Sequence, residues 1–359
     1  VTETLFPFGY PGATALYLAL FVLTLALHAV LVGYVLAGSG YVAAVRAIAA
    51  ARGGDPDDPL ADRLTDWLPF ALGAAITAGV APLLFLQILY KEAFYTASLL
   101  LFHRWMAVVP ILIAGFYLLY LGKSVRAAGW RPALRAATSI AAFLCFAFVG
   151  YSWTEIHLLA LDRGAWVDQY ASGAIFYDGA GLVPRFAFWV AMALPVMAAI
   201  GGWQLWAAGA TDGRRLPAVA IAGLAVAGLA AWPLAGATSG ARDIATSGAV
   251  LPYAVLCATG LLAQLVGWAA QLRAGRLVPI WLAASSAGVV LTVIGGAVVR
   301  EAVRLSRLAD PALLALHQRA SEAGGMPIFL LFLAVNAGVI VWCFRITARG
   351  LRARDDEAV

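Results

Sequence analysis

The side chains in this sequence that could do chemistry are few: four histidines, one glutamate among arginines, and little else in the apolar stretches. His28 lies mid-run in Leu27-His28-Ala29, where an imidazole must find a partner on another helix. It could ligate haem or bond a quinone, or it could make a neutral interhelical hydrogen bond. His103 precedes Arg104-Trp105, and His157 follows Trp153-Thr154-Glu155. These two stand at the outer ends of consecutive antiparallel runs, at similar depth, and could hold one haem b between them. Histidine beside Trp and Arg is also ordinary chemistry of a membrane interface. Glu301 follows Arg300 and precedes Arg304 and Arg307. Spacings of three and six put Arg304 and Arg307 on its helix face, as an ion-pair cluster or around a cofactor-binding or proton-handling carboxylate. Glu155 and His157, two apart, point to different faces. His317, between Leu316 and Gln318-Arg319, reads as a solvated loop histidine.

Other chemistries lack a scaffold. No HxxxH or HExxH pair occurs, no Walker loop, no GxSxG elbow and no dinucleotide fingerprint after a strand. No catalytic residue is assigned, nor a metal site outside haem. Cys145, Cys257 and Cys343 lie far apart inside apolar runs and read as packing residues.

The elements that must carry these groups are membrane helices. Of 359 residues, 63% are hydrophobic and 12% charged, and the mean hydropathy is +0.87; soluble domains carry about 25% charged residues. Apolar runs reach the length a bilayer core requires, and their lack of two-residue alternation excludes a β-barrel. The fold class expected is all-α, a polytopic bundle forming a single transmembrane domain over 1–359. Nine spans are expected, near 14–38, 67–90, 104–122, 133–153, 184–208, 216–235, 249–271, 277–299 and 326–347. The first run ends at Gly38-Ser39-Gly40 and has no basic leader, so it reads as a true span rather than a cleaved signal.

Of the 24 Lys and Arg residues, 15 fall in one set of alternate loops and 9 in the other. The richer set should face the cytoplasm, which puts the N-terminus outside and the C-terminus inside. The net charge of +5 is thus a topology signal, and no nucleic-acid partner is implied. Arginine outnumbers lysine 22 to 2, as in GC-rich bacterial genomes, so the expected location is the bacterial inner membrane. Outside, 154–183 and 300–325 read as the two long loops. Pro82, Pro195 and Pro233 interrupt spans. Kinks of this kind are shared by transporters and ordinary bundles.

Three stretches resemble the large subunit of cytochrome bd quinol oxidases: Pro69-Phe70-Ala71-Leu72-Gly73 entering helix two, Val183-Pro184-Arg185-Phe186 opening helix five, and Gly296 through Arg304 ending helix eight. Nine spans with an outside N-terminus match that family as well. The resemblance implies a respiratory helical scaffold in which Glu301 corresponds to the carboxylate ligand of the high-spin haem and Arg304 to the arginine after it. The family's other haem ligands fall on Phe188, near Val255 or Leu256, and near Tyr17. Phe188, Val255 and Leu256 cannot ligate iron.

The function expected is a membrane subunit of an electron-transfer complex, respiratory or photosynthetic, either without haem or with one haem b near the outer face. Its cofactor-binding candidates are His103, His157, His28, Glu301 and Arg304, with quinone as a second cofactor. Membrane lipids, other membrane subunits and a periplasmic cytochrome c are the partners this implies. A quinol-oxidising enzyme with relocated haem ligands and a transporter or channel are the alternatives.

Overall fold

The computed structural model describes residues 3–54, 58–124, 129–209, 215–237, 240–309 and 311–357. Their regular structure is helical: α1 (Gly12–Ala51), α2 (Pro59–Leu89), α3 (Lys91–Leu100), α4 (Phe102–Lys123), α5 (Pro132–Leu161), α6 (Trp166–Ser172), α7 (Leu182–Ala207), α8 (Arg215–Ala237), α9 (Ala241–Ala245), α10 (Leu251–Ala274), α11 (Pro279–Leu308), α12 (Pro311–Glu322) and α13 (Gly325–Glu357). Among the described residues eight helices, α1, α2, α4, α5, α7, α8, α10 and α11, are long and apolar enough to cross a membrane. The ninth expected run lies in α13, which meets that criterion only jointly with α12, across a 71° bend.

Several helices outrun the bilayer and correct the expected boundaries. Gly38-Ser39-Gly40 does not end α1; the helix continues to Ala51. These small residues are points of close approach. A Cβ on Gly38 would meet Leu64 and Leu68 at 3.1 and 3.0 Å, and one on Gly40 would meet Phe143 at 3.0 Å. Helix α2 starts well before 67, because Asp58 caps it and Pro59 occupies its first turn. The two long loops expected outside are largely helical too: α5 runs to Leu161, α11 runs to Leu308, and α6 and α12 lie within the connections beyond them.

Helix α1 is the hub, touching α2, α5, α7, α11 and α12. Helices α10 and α11 make the tightest pair, backbone to backbone. A Cβ on Gly260 would stand 2.6 Å from the Thr292 nitrogen, and one on Gly288 would stand 2.7 Å from the Gly260 carbonyl oxygen. Only glycine permits that approach, the usual way membrane helices gain dispersion contacts without a hydrophobic drive. Across the same seam Gln264 donates to Thr292 Oγ1 at 2.9 Å.

The buried apolar side chains fall into two main clusters along the bundle axis. One holds Tyr34, Leu64, Leu68, Met197, Leu216, Trp268 and Leu282. The other holds Phe8, Tyr17, Leu18, Phe21, Phe85, Leu89, Tyr90, Ala302 and Leu305. Each is closed at its end of the bundle by polar groups, the first around Asp58 and the second around Glu301. The outward face is apolar: Leu229, Trp232, Leu331, Phe332 and Trp342 are all exposed. Such a surface contacts lipid.

Candidate functional site

Glu301 sits in the last turns of α11 and is fully buried. Its carboxylate takes four hydrogen bonds from three residues. Arg300 donates to Oε1 through Nε at 3.1 Å and Nη2 at 2.9 Å. Arg304 donates to Oε2 at 3.2 Å, and so does the Tyr90 hydroxyl at 3.0 Å. An ionised carboxylate offers about four lone-pair sites, so this one is saturated. Tyr90 comes from the break between α2 and α3 and lies in the interior. Burial, and next the neighbouring Glu301 charge, push its phenol well above the usual range, so it stays a donor.

The sequence pairing of Glu301 with Arg304 is present in the structure, and the network goes further. Arg304 donates its second terminal nitrogen towards His157 Nδ1 at 2.8 Å, and its guanidinium lies over the rings of Tyr90 at 5.0 Å and Phe21 at 5.8 Å. Arg185, in the first turn of α7, approaches His157 Nε2 at 3.1 Å. Arg300 faces the Trp189 ring at 5.7 Å. Four helical segments therefore converge: α5 with His157, α7 with Arg185, α11 with Arg300, Glu301 and Arg304, and the end of α2 with Tyr90.

Two apart in sequence, Glu155 and His157 do serve different neighbours. Glu155 is buried, pairs with Arg104 Nε at 2.9 Å and accepts the Tyr177 backbone N–H at 2.8 Å. Arg104 in turn is enclosed by the rings of Phe176, Phe148 and Tyr151. Tyr177, in the connection before α7, donates its hydroxyl to Asp162 at 2.7 Å. Burial and then that bond raise its phenol above the ordinary value.

His103 takes no part in this network. It is exposed, with its ring against Phe102, while the next residue, Arg104, turns inward to Glu155. The structure does not bring His103 and His157 together. His28 is engaged between helices: Nδ1 donates to the Ala75 carbonyl at 3.0 Å, and the bare Cα of Gly79 leaves room for the ring. His317 is not a solvated loop residue. It is fully buried on α12, where Nε2 donates to the Leu89 carbonyl at 3.1 Å and Nδ1 accepts the Thr14 hydroxyl at 2.9 Å. An amphipathic helix covers the end of the bundle where a loop was expected, and its histidine points inward.

As they stand, Glu301 and His157 offer a haem iron no free lone pair. Iron needs a free lone pair from its ligand. Glu301 has spent its four, both ring nitrogens of His157 face guanidinium groups, and His103 stands apart. Among the described residues no three His, Cys, Asp or Glu side chains converge as a metal site would require.

Tyr90, Arg300 and Arg185 were the members that sequence reasoning missed. Adjacent helical residues do not face each other, yet the long Arg300 side chain folds back onto Glu301. Arg185 had a readable signal. It places a cation in the first turn of a helix, against the usual preference for acids there. Tyr90 had none.

Compared with known families, curated proteins and solved structures, the chain matches no family model, no curated protein and no solved structure.

Proposed function

We propose that this integral membrane protein is a subunit of an electron-transfer complex, on a scaffold similar to cytochrome bd, that works without haem iron. Its role in this reading is to hold lipid and partner membrane subunits, with quinone and a periplasmic cytochrome c handled by the assembly. The reading includes nine spans, the N-terminus outside, and a bacterial inner membrane. One observation carries the haem-less form: the carboxylate that would correspond to an iron ligand is saturated by Arg300, Arg304 and Tyr90. Freeing a lone pair would leave a buried guanidinium or hydroxyl unpaired, which costs about 1–3 kcal/mol or more. The apolar outer face of α8 and α13 supports packing against lipid and partner helices.

Two measurements test it. A dithionite-minus-air spectrum with pyridine haemochrome quantitation on the detergent-purified chain is expected to give no stoichiometric haem. On a native gel of source membranes the chain is expected to co-migrate with quinol-oxidising activity. A stoichiometric b-type signal lost in His157→Ala or His103→Ala would overturn the haem-less form. Solute flux in liposomes without a redox partner would overturn the electron-transfer reading as a whole.

A further inference from the structure

The buried polar cluster at the Glu301 end is incomplete as a set of partners. Among the described residues, three guanidinium groups, from Arg185, Arg300 and Arg304, meet one carboxylate, which leaves two positive charges without a carboxylate of their own in an apolar setting. Glu301 is paired with Arg300 and Arg304. Among the described residues no carboxylate lies within 4 Å of Arg185, whose Nε is buried with no hydrogen-bond partner. Uncompensated charge in such surroundings is costly.

His157 adds a second discrepancy. Its two ring nitrogens each face a guanidinium nitrogen, at 2.8 Å from Arg304 and 3.1 Å from Arg185. A neutral imidazole has one acceptor nitrogen, and the other carries a hydrogen. Only one of these contacts is a hydrogen bond; the other sets donor against donor. An acceptor atom between His157 and one of the arginines would satisfy both.

The start of α7 contributes in the same sense. Gly181 at its N-cap has φ 91°, no side chain caps the helix, and the first turn holds no acid. The positive end of the helix dipole lies beside Arg185 with no acid to offset it.

We propose that the cluster of Arg185, His157 and Arg304 at the start of α7 is a binding site for a phosphate group. A planar carboxylate suits one guanidinium fork, as Glu301 already does. Donors arriving from three helices, α5, α7 and α11, suit a tetrahedral oxyanion, whose oxygens diverge to meet them. Phosphate at this position supplies Arg185 Nε with its missing acceptor and takes the His157 N–H. The group comes either from a phospholipid headgroup or from free phosphate in solution, and the same residues serve both. This site goes beyond the electron-transfer reading and does not depend on it.

The test uses the full chain in a maltoside detergent free of phosphate, at constant ionic strength and chloride. Thermal unfolding is followed by tryptophan fluorescence while inorganic phosphate, or separately a short-chain phosphatidylglycerol, is titrated in. A saturable rise in Tm is expected with at least one probe. Saturation by inorganic phosphate assigns the site to a soluble oxyanion, and saturation by the lipid alone assigns it to a headgroup. Arg185→Gln is expected to weaken the apparent Kd about 10- to 100-fold while leaving the ligand-free Tm unchanged or higher, because a repelling charge has gone. Arg185→Lys keeps the charge but loses the fork and is expected to bind with intermediate strength. No saturable shift with either probe, an equal shift with chloride alone, or an undiminished shift in Arg185→Gln would each overturn the proposal.

Discussion

The two ends of this bundle handle buried charge in opposite ways. At one end Asp58, itself buried, does several small tasks beside a solvent-exposed partner. Its Oδ1 accepts the N–H groups of Leu60 and Ala61, both at 3.0 Å, and its Oδ2 accepts the Tyr41 hydroxyl at 2.9 Å. Its ionic partner, Arg215 at 2.8 Å, has a side chain 68% exposed. Nearby Arg46 is buried and donates to the hydroxyls of Ser139 and Thr65. At the other end Glu301 has no contact with solvent, and its guanidinium partners are 6% and 20% exposed. The Asp58 carboxylate meets one exposed arginine, whereas guanidinium groups outnumber the carboxylate around Glu301. The first arrangement anchors the start of a helix. The second is built to hold something negative.

Substitutions should separate the two ends by size and by salt dependence. The largest effect is expected for Glu301→Gln, which strands two buried guanidinium groups: a loss of about 3–5 kcal/mol in unfolding free energy, or failure to accumulate in the membrane, little altered by salt. A loss below about 1 kcal/mol, a value typical of exposed pairs, would make the two ends equivalent and break the contrast. Asp58→Ala is expected to cost about 1–2 kcal/mol, chiefly as a lost helix cap, measured in the same denaturation assay.

Tyr90→Phe should cost about 1 kcal/mol by removing one of the four bonds to Glu301. It also carries a pH signature. Because the Tyr90 phenol is raised when folded, its contribution is fully present below the unfolded pKa of about 10 and is lost as pH rises beyond it towards the folded value. The slope of stability above that pH should be shallower in Tyr90→Phe than in the parent chain, and an identical slope would remove Tyr90 from the alkaline transition. The smallest effect is expected for Arg215→Gln, at most about 0.5 kcal/mol and vanishing in high salt, as for other exposed ion pairs.

Much of this architecture was readable from the residues because the bilayer leaves few alternatives. Long apolar runs between Arg-bearing connections must become helices, and eight of the expected runs do so. What was not readable depended on packing between distant segments. Gly38-Ser39-Gly40 has the composition of a stop but serves as a contact surface for Leu64, Leu68 and Phe143. His317 lies among polar neighbours in sequence, and only docking of α12 shows that it is enclosed. In the Glu301 cluster the pairing with Arg304 followed from a spacing of three, since both belong to one helix. His157, Arg185 and Tyr90 come from other helices, and no local pattern announces which of them meet.

The contact between Thr14 and His317 spans 303 residues, and this sets an order in time. The hydroxyl of Thr14 and the carbonyl of Leu89 leave the ribosome 303 and 228 residues ahead of the imidazole that joins them. Until then the first helix of the bundle has an open polar socket at one end. A nascent chain halted after α11 would leave that socket unfilled.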